Sequence, residues 1–321
     1  MRGVVRLVLA GLAAFAAAAA SAQTYPDRNV RVIVPFGQGG PTDVIARIFA
    51  AKLSENLGHQ FYVENIAGAG GNIGTAQAAK AAPDGYTILV VSTGFMVNPS
   101  LYARVPYDPV KSFTPLTLAA VSPNVIFVNP SVPAKTLKEL IELVKSNPGE
   151  YAYAQPAMGS TPHLSAELFK QTFGLDLVMV PFNSAGLAVN GVLAGQPPIG
   201  FTALPPTIGL INEGKLRGLA IEALKRSPTI PNVPTIAEAG VPGQEADTLT
   251  GFVLPAGTPP AIVAKLHDEL AKIGALPEIR ERLEKIGFSP VLNTPEAFGA
   301  RIRSEMEKWG KVVHAANLKI E

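Results

Sequence analysis

The sequence contains no cysteine, one tryptophan and only four histidines. Without cysteine it can form no disulfide, no thiolate metal site and no thiolate nucleophile. The histidines are far apart along the chain, and none has a second histidine three or four positions away, as a helical metal site would require. We therefore expect neither a metal nor a cofactor.

An excess of charge of one sign is also absent. Lysine and arginine together number 27 and the acidic residues 25, and removal of an N-terminal segment with Arg2 and Arg6 would leave 25 of each. The chain has no run of basic residues, which is the electrostatic feature typical of proteins that bind nucleic acid or anionic lipid. We expect neither as a partner.

The N-terminal residues have the three-part pattern of a secretory signal peptide. Arg2 and Arg6 precede an apolar stretch over residues 7–20, and Ala20, Ser21 and Ala22 form a small-x-small cleavage site. The apolar stretch is shorter than the roughly 20 residues that cross a bilayer, and no later stretch is long enough. The pattern predicts a signal peptide over residues 1–22, cleavage before Gln23, and a periplasmic protein that does not insert into the membrane.

From Val30 onward, short β-branched segments alternate with amphipathic helical patterns. The strands are predicted at residues 30–34, 61–65, 87–92, 125–128, 151–154, 178–181, 199–202 and 216–221. Two helices are predicted at residues 41–57 and 72–82, and two more begin at the capping boxes at residues 136–139 and 235–238. Three further helices begin near prolines 259, 277 and 295, and the last of them ends at residue 317. This order is typical of α/β folds with parallel strands, and the length suggests two domains.

Three loops that join a strand to a helix are rich in glycine or hydroxyl residues. They cover residues 35–43, 65–74 and 157–163, and none contains lysine or arginine. The first turn of a helix has N–H groups without intrahelical partners and a partial positive charge, and glycine lets a ligand approach them. Each loop alone is also compatible with an ordinary turn. Three at the carboxyl ends of predicted parallel strands favour one site for an anion.

Individual residues in these loops have more than one interpretation. Ser160 and Thr161 place a hydroxyl at a helix N-cap, with Pro162 at the first helical position. Asp43 would repel an anion, so we expect it to bond backbone amides and order its loop. His163 either donates to the ligand or packs against its own loop. Trp309 is expected in the core of the last helix.

The sequence approaches motifs of known enzyme classes without completing them. Residues 209–216 approach the phosphate-binding loop pattern but end in Leu216, which has no hydroxyl for magnesium. Ile73 occupies the third glycine position of a dinucleotide motif. Ser160 with His163 as base would make a small-ester hydrolase, which stays an alternative although no orienting acid is apparent. We therefore expect that the protein is not an enzyme.

Six short motifs, taken in order and spacing, resemble one family. They are PF-x-x-GG-x-x-D at 35–43, N-x-x-GAGG at 65–71, APDGYT at 82–87, YDP at 107–109, GS-x-x-HL at 159–164 and P-x-VPT-x-x-E-x-G at 231–240. The chain resembles the periplasmic receptors of tripartite tricarboxylate transporters, often called Bug-type solute receptors. The match covers nearly all of the chain after residue 25.

The resemblance implies a type II periplasmic-binding-protein fold, with two α/β lobes of mixed or parallel sheets joined by two crossing strands. One lobe would hold residues 23–121 and 247–321 and the other residues 122–246, with the ligand cleft between them. The implied function is capture of a dicarboxylate, tricarboxylate or aromatic acid by a monomer, which passes it to membrane transporter subunits. A sensory receptor on the same fold is a further alternative.

The resemblance also implies a set of ligand-binding residues. In the first lobe these are Phe36, Gly39, Gly40, Thr42, Ala69, Gly70 and Ser92; in the second they are Met158, Gly159, Ser160, Thr161, His163, Asn183, Ala185 and Thr202. The sequence departs from the family pattern near Asn183, which replaces a lysine. Gly191, Pro198 and Thr202 stand where many members have acids. The loss of these acids disfavours an amino-acid ligand, because its ammonium group would need a carboxylate.

Overall fold

The structure is a computed structural model that describes residues 25–156, 158–182 and 184–320. The predicted signal peptide, its cleavage site before Gln23, and Asn183 lie outside the described residues. Within the described ranges, no helix combines the length and the apolar character needed to cross a bilayer.

Ten strands and ten α-helices are assigned in the described residues. The strands are β1 (Val30–Val34), β2 (Phe61–Asn65), β3 (Thr87–Ser92), β4 (Phe113–Val128), β5 (Ala152–Gln155), β6 (Val178–Pro181), β7 (Ile199–Ala203), β8 (Arg217–Ile221), β9 (Asp247–Pro255) and β10 (Ser289–Pro290). The helices are α1 (Pro41–Leu57), α2 (Asn72–Ala79), α3 (Thr93–Leu101), α4 (Leu137–Ser146), α5 (Thr161–Phe173), α6 (Ala185–Leu193), α7 (Ile208–Asn212), α8 (Pro260–Ala275), α9 (Pro277–Lys285) and α10 (Pro295–Ala315). Short 3₁₀ turns cover Ala69–Gly71 and Pro205–Thr207.

The strands form two sheets that share β4. The first sheet has the order β2, β1, β3, β9, β4, with the first three strands parallel and the last two antiparallel to their neighbours. In the second sheet, β5 lies parallel to β6 and β7, and β7 and β8 both pair antiparallel with β4. Residues 113–123 of β4 pair with β9, whereas residues 124–128 pair with β7 and β8. Strand β4 therefore crosses from one lobe to the other.

A second crossing lies beside the first. The N–H of Asn124 donates to the carbonyl of Ala246 at 3.0 Å, and the next residue, Asp247, begins β9 opposite Pro123. The chain thus leaves the first lobe through β4 and returns immediately beside it. Two lobes of mixed α/β structure joined by two crossing strands confirm the predicted fold class.

Each sheet is covered by helices on both faces. Helices α1 and α8 bury one face of the first sheet around Phe49, and α10 buries the other around Phe298. In the second sheet, α4 and α5 cover one face and α6 the other. A separate cluster joins Leu101 of α3, Leu164 of α5 and Trp309 of α10, so it contains side chains of both lobes. Trp309 is fully buried, as predicted.

Some predicted elements differ from the observed ones. The helix predicted at 72–82 ends at Ala79, the strand predicted at 151–154 lies one residue later, and the last helix ends at Ala315, two residues short of the predicted end. Both capping boxes form, with the N–H of Glu139 donating to Thr136 Oγ1 and that of Glu238 to Thr235 Oγ1.

Only the first capping box starts a helix. Thr235 starts a single turn, because Gly240 follows with φ +90° and Pro242 comes two residues later.

Candidate ligand-binding site

The buried carboxylate of Asp43 organises the first glycine loop. Its Oδ2 accepts from the N–H of Gly39 at 2.9 Å, and its Oδ1 accepts from Asn65 Nδ2 at 2.8 Å. Arg47, one turn along α1, donates to both carboxylate oxygens. Asn65 in turn donates to the carbonyl of Phe36 at 3.0 Å. Because Asn65 ends β2, these bonds tie the first glycine loop to the start of the second.

The pKa of Asp43 is lowered from its ordinary value. Burial alone would raise the pKa, but hydrogen bonds from Arg47, Gly39 and Asn65 to the charged form outweigh burial. The Asp43 charge also compensates Arg47, the cation that contacts this loop. The positive charge near the first loop is therefore paired with a buried carboxylate, while the Arg47 side chain itself is 48% exposed.

The second glycine loop is ordered by buried amides. Asn98 Nδ2 of α3 donates to the carbonyl of Gly70 at 3.0 Å and to Asn72 Oδ1 at 2.7 Å, and Tyr107 Oη donates to the same Oδ1 at 3.1 Å. Gly70 and Gly71 have φ +63° and +94°, a region that favours glycine. A Cβ on Gly71 would lie 3.2 Å from the ring of Phe36. The two loops of the first lobe are therefore in contact.

The third loop precedes α5 in the second lobe. Ser160 is the N-cap with extended φ and ψ, Thr161 is the first helical residue and Pro162 the second, so the helix starts one residue earlier than predicted. The N–H of Gly159 donates to His163 Nδ1 at 3.0 Å. Nδ1 accepts this bond, so the proton of neutral His163 is on Nε2, which is buried and has no partner among the described residues.

His163 is neutral at physiological pH and fully buried. Burial lowers the pKa of its imidazole to about 4. Its contact with Gly159 packs it against its own loop, one of its two predicted interactions, and leaves Nε2–H for a ligand or a buried water. The same contact occupies the Nδ1 atom, so that atom is not available as a base toward Ser160.

The strand ends of the two lobes flank the crossing. Ser92, at the end of β3, pairs with Thr250 of β9, and Thr202 of β7 pairs with Val125 of β4, one residue past the crossing. Helix α3, which starts after Ser92, packs against α5 through the Leu101 and Leu164 cluster. The ligand cleft expected from the sequence would lie above these crossing strands, between the glycine and hydroxyl loops of the two lobes, and is called the crevice below.

The predicted site residues differ in their exposure. Gly39, Ala69, Gly70 and Met158 are exposed, Phe36, Gly40, Ser92, Ser160 and Ala185 are half-buried, and Thr42, Gly159, Thr161, His163 and Thr202 are buried. The hydroxyl of Thr202 has no partner among the described residues. The exposed and half-buried residues are accessible from solvent, whereas the buried residues are covered by neighbouring side chains.

Gly159 offers a test of how closely the lobes approach. It has φ +72°, and a Cβ on it would lie 2.2 Å from Leu101 Cδ2, inside the buried interlobe cluster. We expect Gly159→Ala to lower the free energy of unfolding by about 2–4 kcal/mol, from left-handed strain and overpacking together. Gly214 has φ +69° with nothing within 4 Å. Gly214→Ala is therefore the matched control, and it should lower the free energy of unfolding by about 1–2 kcal/mol. Denaturation by urea measures both variants, and equal losses would contradict a close approach of α3 to α5.

The structure also shows polar residues that the sequence analysis missed. Arg47 contacts the first loop, and Gln155, at the end of β5, is buried with neither amide atom bonded in the described residues. Ser165, Asn124 and Glu222 form a further buried group near the crossing. Gln155 and Glu222 each interrupt an apolar segment of the sequence. A polar residue within such a segment is the pattern that could have identified them as buried polar groups.

Across the described ranges, no group of three or more histidine, aspartate or glutamate residues is placed to hold a metal ion. The predicted Ser160–His163 pair has the imidazole beneath the loop, with Nδ1 bonded to a backbone amide.

Comparisons with known proteins identify the family. A family model described as the tripartite tricarboxylate transporter family receptor matches residues 45–318. Protein BugT of Bordetella pertussis is 37% identical over 307 residues, which cover 95% of this chain and 94% of BugT.

Two solved structures share the fold at substantial identity. A structure of R. palustris Rpa4515 with adipate has a TM-score of 0.82 at 35% identity and covers 92% of this chain and 100% of that one. MatC from Rhodopseudomonas palustris with bound malate has a TM-score of 0.78 at 33% identity and covers 90% of this chain and 100% of that one. The Bug proteins are periplasmic solute-binding proteins, not enzymes, of the tripartite tricarboxylate transporter receptor family. This chain belongs to the same family.

Proposed function

We propose that the protein captures a small carboxylate in the crevice between its lobes and delivers it to the membrane subunits of a tripartite tricarboxylate-type transporter. The observation that carries this proposal is that three helix starts approach one another: the loops before α1 and α2 are in contact, and Gly159, before α5, packs against Leu101 of α3. Their loops contain no lysine or arginine, and the nearby Arg47 is paired with Asp43. Main-chain N–H groups and hydroxyls would therefore hold the anion through charge-assisted hydrogen bonds.

A dicarboxylate fits this arrangement best. Each lobe offers its own set of donors, so one carboxylate would bind the first lobe and the second carboxylate the other. The related structures with adipate and malate support this class. Tricarboxylates and aromatic acids are the alternatives that an experiment must separate.

The remaining parts of the proposal follow from family membership and the signal pattern. We place the protein in the periplasm as a monomer, after removal of residues 1–22. The lobe boundaries proposed at residues 121/122 and 246/247 are supported by the pairing of Pro123 with Asp247 at the crossing. Closure of the lobes around the ligand would then present one closed shape to the transporter.

A thermal-shift screen tests the proposal. A ligand that binds only the folded state stabilises it by about 2.7 kcal/mol at a hundredfold excess over Kd. We expect adipate or malate to raise Tm by several degrees, and the neutral diamide of adipate to have no effect. If adipate, malate, citrate and benzoate all leave Tm unchanged, the proposal is refuted.

A pair of variants at Gly40 tests the role of the α1 N-terminus. Gly40 is the N-cap residue with φ −72°, and a Cβ there would meet only the carbonyl of Gly37 at 3.6 Å. Both aspartate and asparagine are good N-cap residues, so neither substitution should destabilise the fold. Because Gly40→Asp adds a negative charge beside the ligand, we expect it to weaken binding by tenfold or more relative to Gly40→Asn. Equal affinities of the two variants in calorimetric titration would place the ligand elsewhere.

A further inference from the structure

A buried carboxyl group lies beneath the first turns of α5, close to the crossing strands. Glu222, which follows β8, is 0% exposed, and one of its carboxyl oxygens is bonded to Ser165 Oγ of α5. The other oxygen has no partner among the described residues. A buried carboxyl with only one hydrogen bond is costly to ionise, since desolvation opposes the charged form.

The backbone of Glu222 belongs to both crossings. Its N–H donates to the carbonyl of Asn124 at 2.8 Å, and its carbonyl accepts from the N–H of Ala246 at 2.9 Å. Asn124 lies where β4 passes between the lobes, and Ala246 precedes the return strand β9. Glu222 therefore connects the segments about which the lobes would move to the helix that presents Ser160 and Thr161 to the crevice.

The charged groups that face Glu222 come from several elements. Burial raises its pKa to about 7, against the opposing effects of the Ser165 hydroxyl, the Asn124 side chain and the Lys308 cation on α10, and Asp247 raises the pKa as well. Asp247 has its own pKa raised by burial, while Arg301 of α10, 3.7 Å away, lowers it. Glu245 and Glu305 act on Asp247 and complete the group. His163, two residues from Ser165 on α5, is neutral above about pH 5 because its pKa is about 4.

An anion at the N-terminus of α5 and a charge on Glu222 would repel each other. Ser165 is the fifth residue of α5, so at 1.5 Å per residue its carboxyl partner lies about 10 Å or less from a ligand bound at the helix start. Two negative charges at that distance, at the effective dielectric constant of a protein, interact strongly enough to change an equilibrium about tenfold.

We propose that Glu222 is a positioning residue that couples capture of the anionic ligand to uptake of a proton at the crossing. This proposal rests on the proposed function, because it requires an anion at the start of α5. With Glu222 neutral, the first turns of α5 lie over an uncharged group, and the positive end of the helix acts on the ligand alone. With Glu222 ionised, its charge competes with the ligand for that end of the helix.

The direction of the pH dependence follows from linkage. Ligand binding raises the pKa of Glu222 further, so the complex holds more protons than the free protein. Affinity is therefore highest below about pH 7 and falls as the pH rises through that value. We expect adipate, whose carboxyl groups are ionised in this range, to bind about fivefold more tightly at pH 6 than at pH 8. A tenfold coupling corresponds to uptake of about half a proton per ligand near pH 7.5.

Calorimetric titration in pairs of buffers with different ionisation enthalpies measures both quantities. The probe is adipate, or malate if malate gives the larger thermal shift. Glu222→Gln keeps an acceptor for Ser165 but does not titrate, so we expect equal affinity at pH 6 and pH 8 and no proton uptake. Asp247→Asn, the matched control at the same crossing, should keep the pH dependence and move its midpoint to lower pH, because Asp247 raises the pKa of Glu222. Ser165→Ala removes a bond that lowers the pKa of Glu222, so it should move the midpoint to higher pH.

Each outcome has one meaning. Wild-type affinity that does not change between pH 6 and pH 8, without proton uptake, overturns the coupling even if Glu222→Gln fails to fold. A pH dependence that survives in Glu222→Gln, or whose midpoint does not move in Ser165→Ala, assigns the proton to another group and also overturns the coupling. Absence of binding by any of the acids at every pH refutes the proposed function instead.

Discussion

Replacing Asp43 by alanine is expected to lower the free energy of unfolding by about 3 kcal/mol at pH 7. The substitution removes the acceptor of bonds from Gly39, Asn65 and Arg47, all formed by a residue that is 2% exposed. Loss of the buried carboxylate leaves the Gly39 N–H and the Asn65 amide without their acceptor, while Arg47, whose side chain is 48% exposed, stays in contact with solvent. Denaturation by urea, followed by circular dichroism, measures the change.

The effect of Asp43→Ala should depend on pH in a defined direction. The pKa of Asp43 is lowered in the folded protein because the hydrogen bonds to its charged form outweigh burial. Its contribution is complete above its ordinary pKa of 3.8 and is lost as the pH falls through the folded value. The difference between wild type and variant should thus shrink below about pH 4. The control is Asp268, an exposed acid beside His267: Asp268→Ala should change the free energy of unfolding by no more than about 0.5 kcal/mol. If Asp43→Ala changed it equally little, Asp43 would not order the loop.

Replacing Trp309 by alanine is expected to cost about 3–5 kcal/mol of unfolding free energy, in the range of large-to-small substitutions in cores. Trp309 is fully buried among Val97, Leu101 and Leu164, which come from α3 and α5. Its Nε1 donates to Glu305 Oε2 at 2.5 Å. The cavity would lie where side chains of both lobes meet, so we also expect weaker ligand binding.

Two further variants separate the reasons for the Trp309 effect. Trp309→Phe keeps most of the apolar contact but leaves Glu305 without its indole donor, so its cost should be about 1–2 kcal/mol. Leu224, 82% exposed, is the surface control, with a change within about 0.5 kcal/mol for Leu224→Ala. Since Trp309 is the only tryptophan in the chain, circular dichroism must replace intrinsic fluorescence. A loss below 1 kcal/mol for Trp309→Ala would contradict an interlobe core around this residue.

The parallel strands were the most predictable part of the fold. Each is a short β-branched segment followed by a turn and a helix start, and the predicted bounds of β1, β2, β3 and β6 agree with the structure. In these strands the local preference and the buried environment favour the same conformation. The three glycine and hydroxyl loops were identifiable for the same reason, because each follows a recognisable strand.

The crossing elements were not predictable from local patterns. Strand β4 contains Pro115 and Pro123, and proline argues against a central strand because it lacks an N–H donor. The structure accommodates Pro115 beside a register shift and places Pro123 at the crossing itself. Helix α3 contains Pro99, so its pattern also disfavoured a helix. Tertiary pairing with β9 and packing on α10 override these local preferences.

The polar residues beneath the crevice were missed for a related reason. Glu222, Ser165 and Asn124 lie on three elements that are far apart in sequence, and only the crossing of the strands brings them together. Sequence periodicity identifies a buried face but not which polar side chains share it. The resemblance to a family could supply the loops at the cleft surface, yet it carried no information about this buried layer.

A crystal structure of the protein with adipate, or with the acid that shifts Tm most, would show which groups hold the ligand. We expect a carboxylate in the crevice above the crossing strands, with its oxygens about 3 Å from main-chain N–H groups at the starts of α1 or α2 and of α5. We also expect that no lysine or arginine contacts the ligand. A carboxylate held by a basic side chain, or bound to one lobe outside the crevice, would contradict the account.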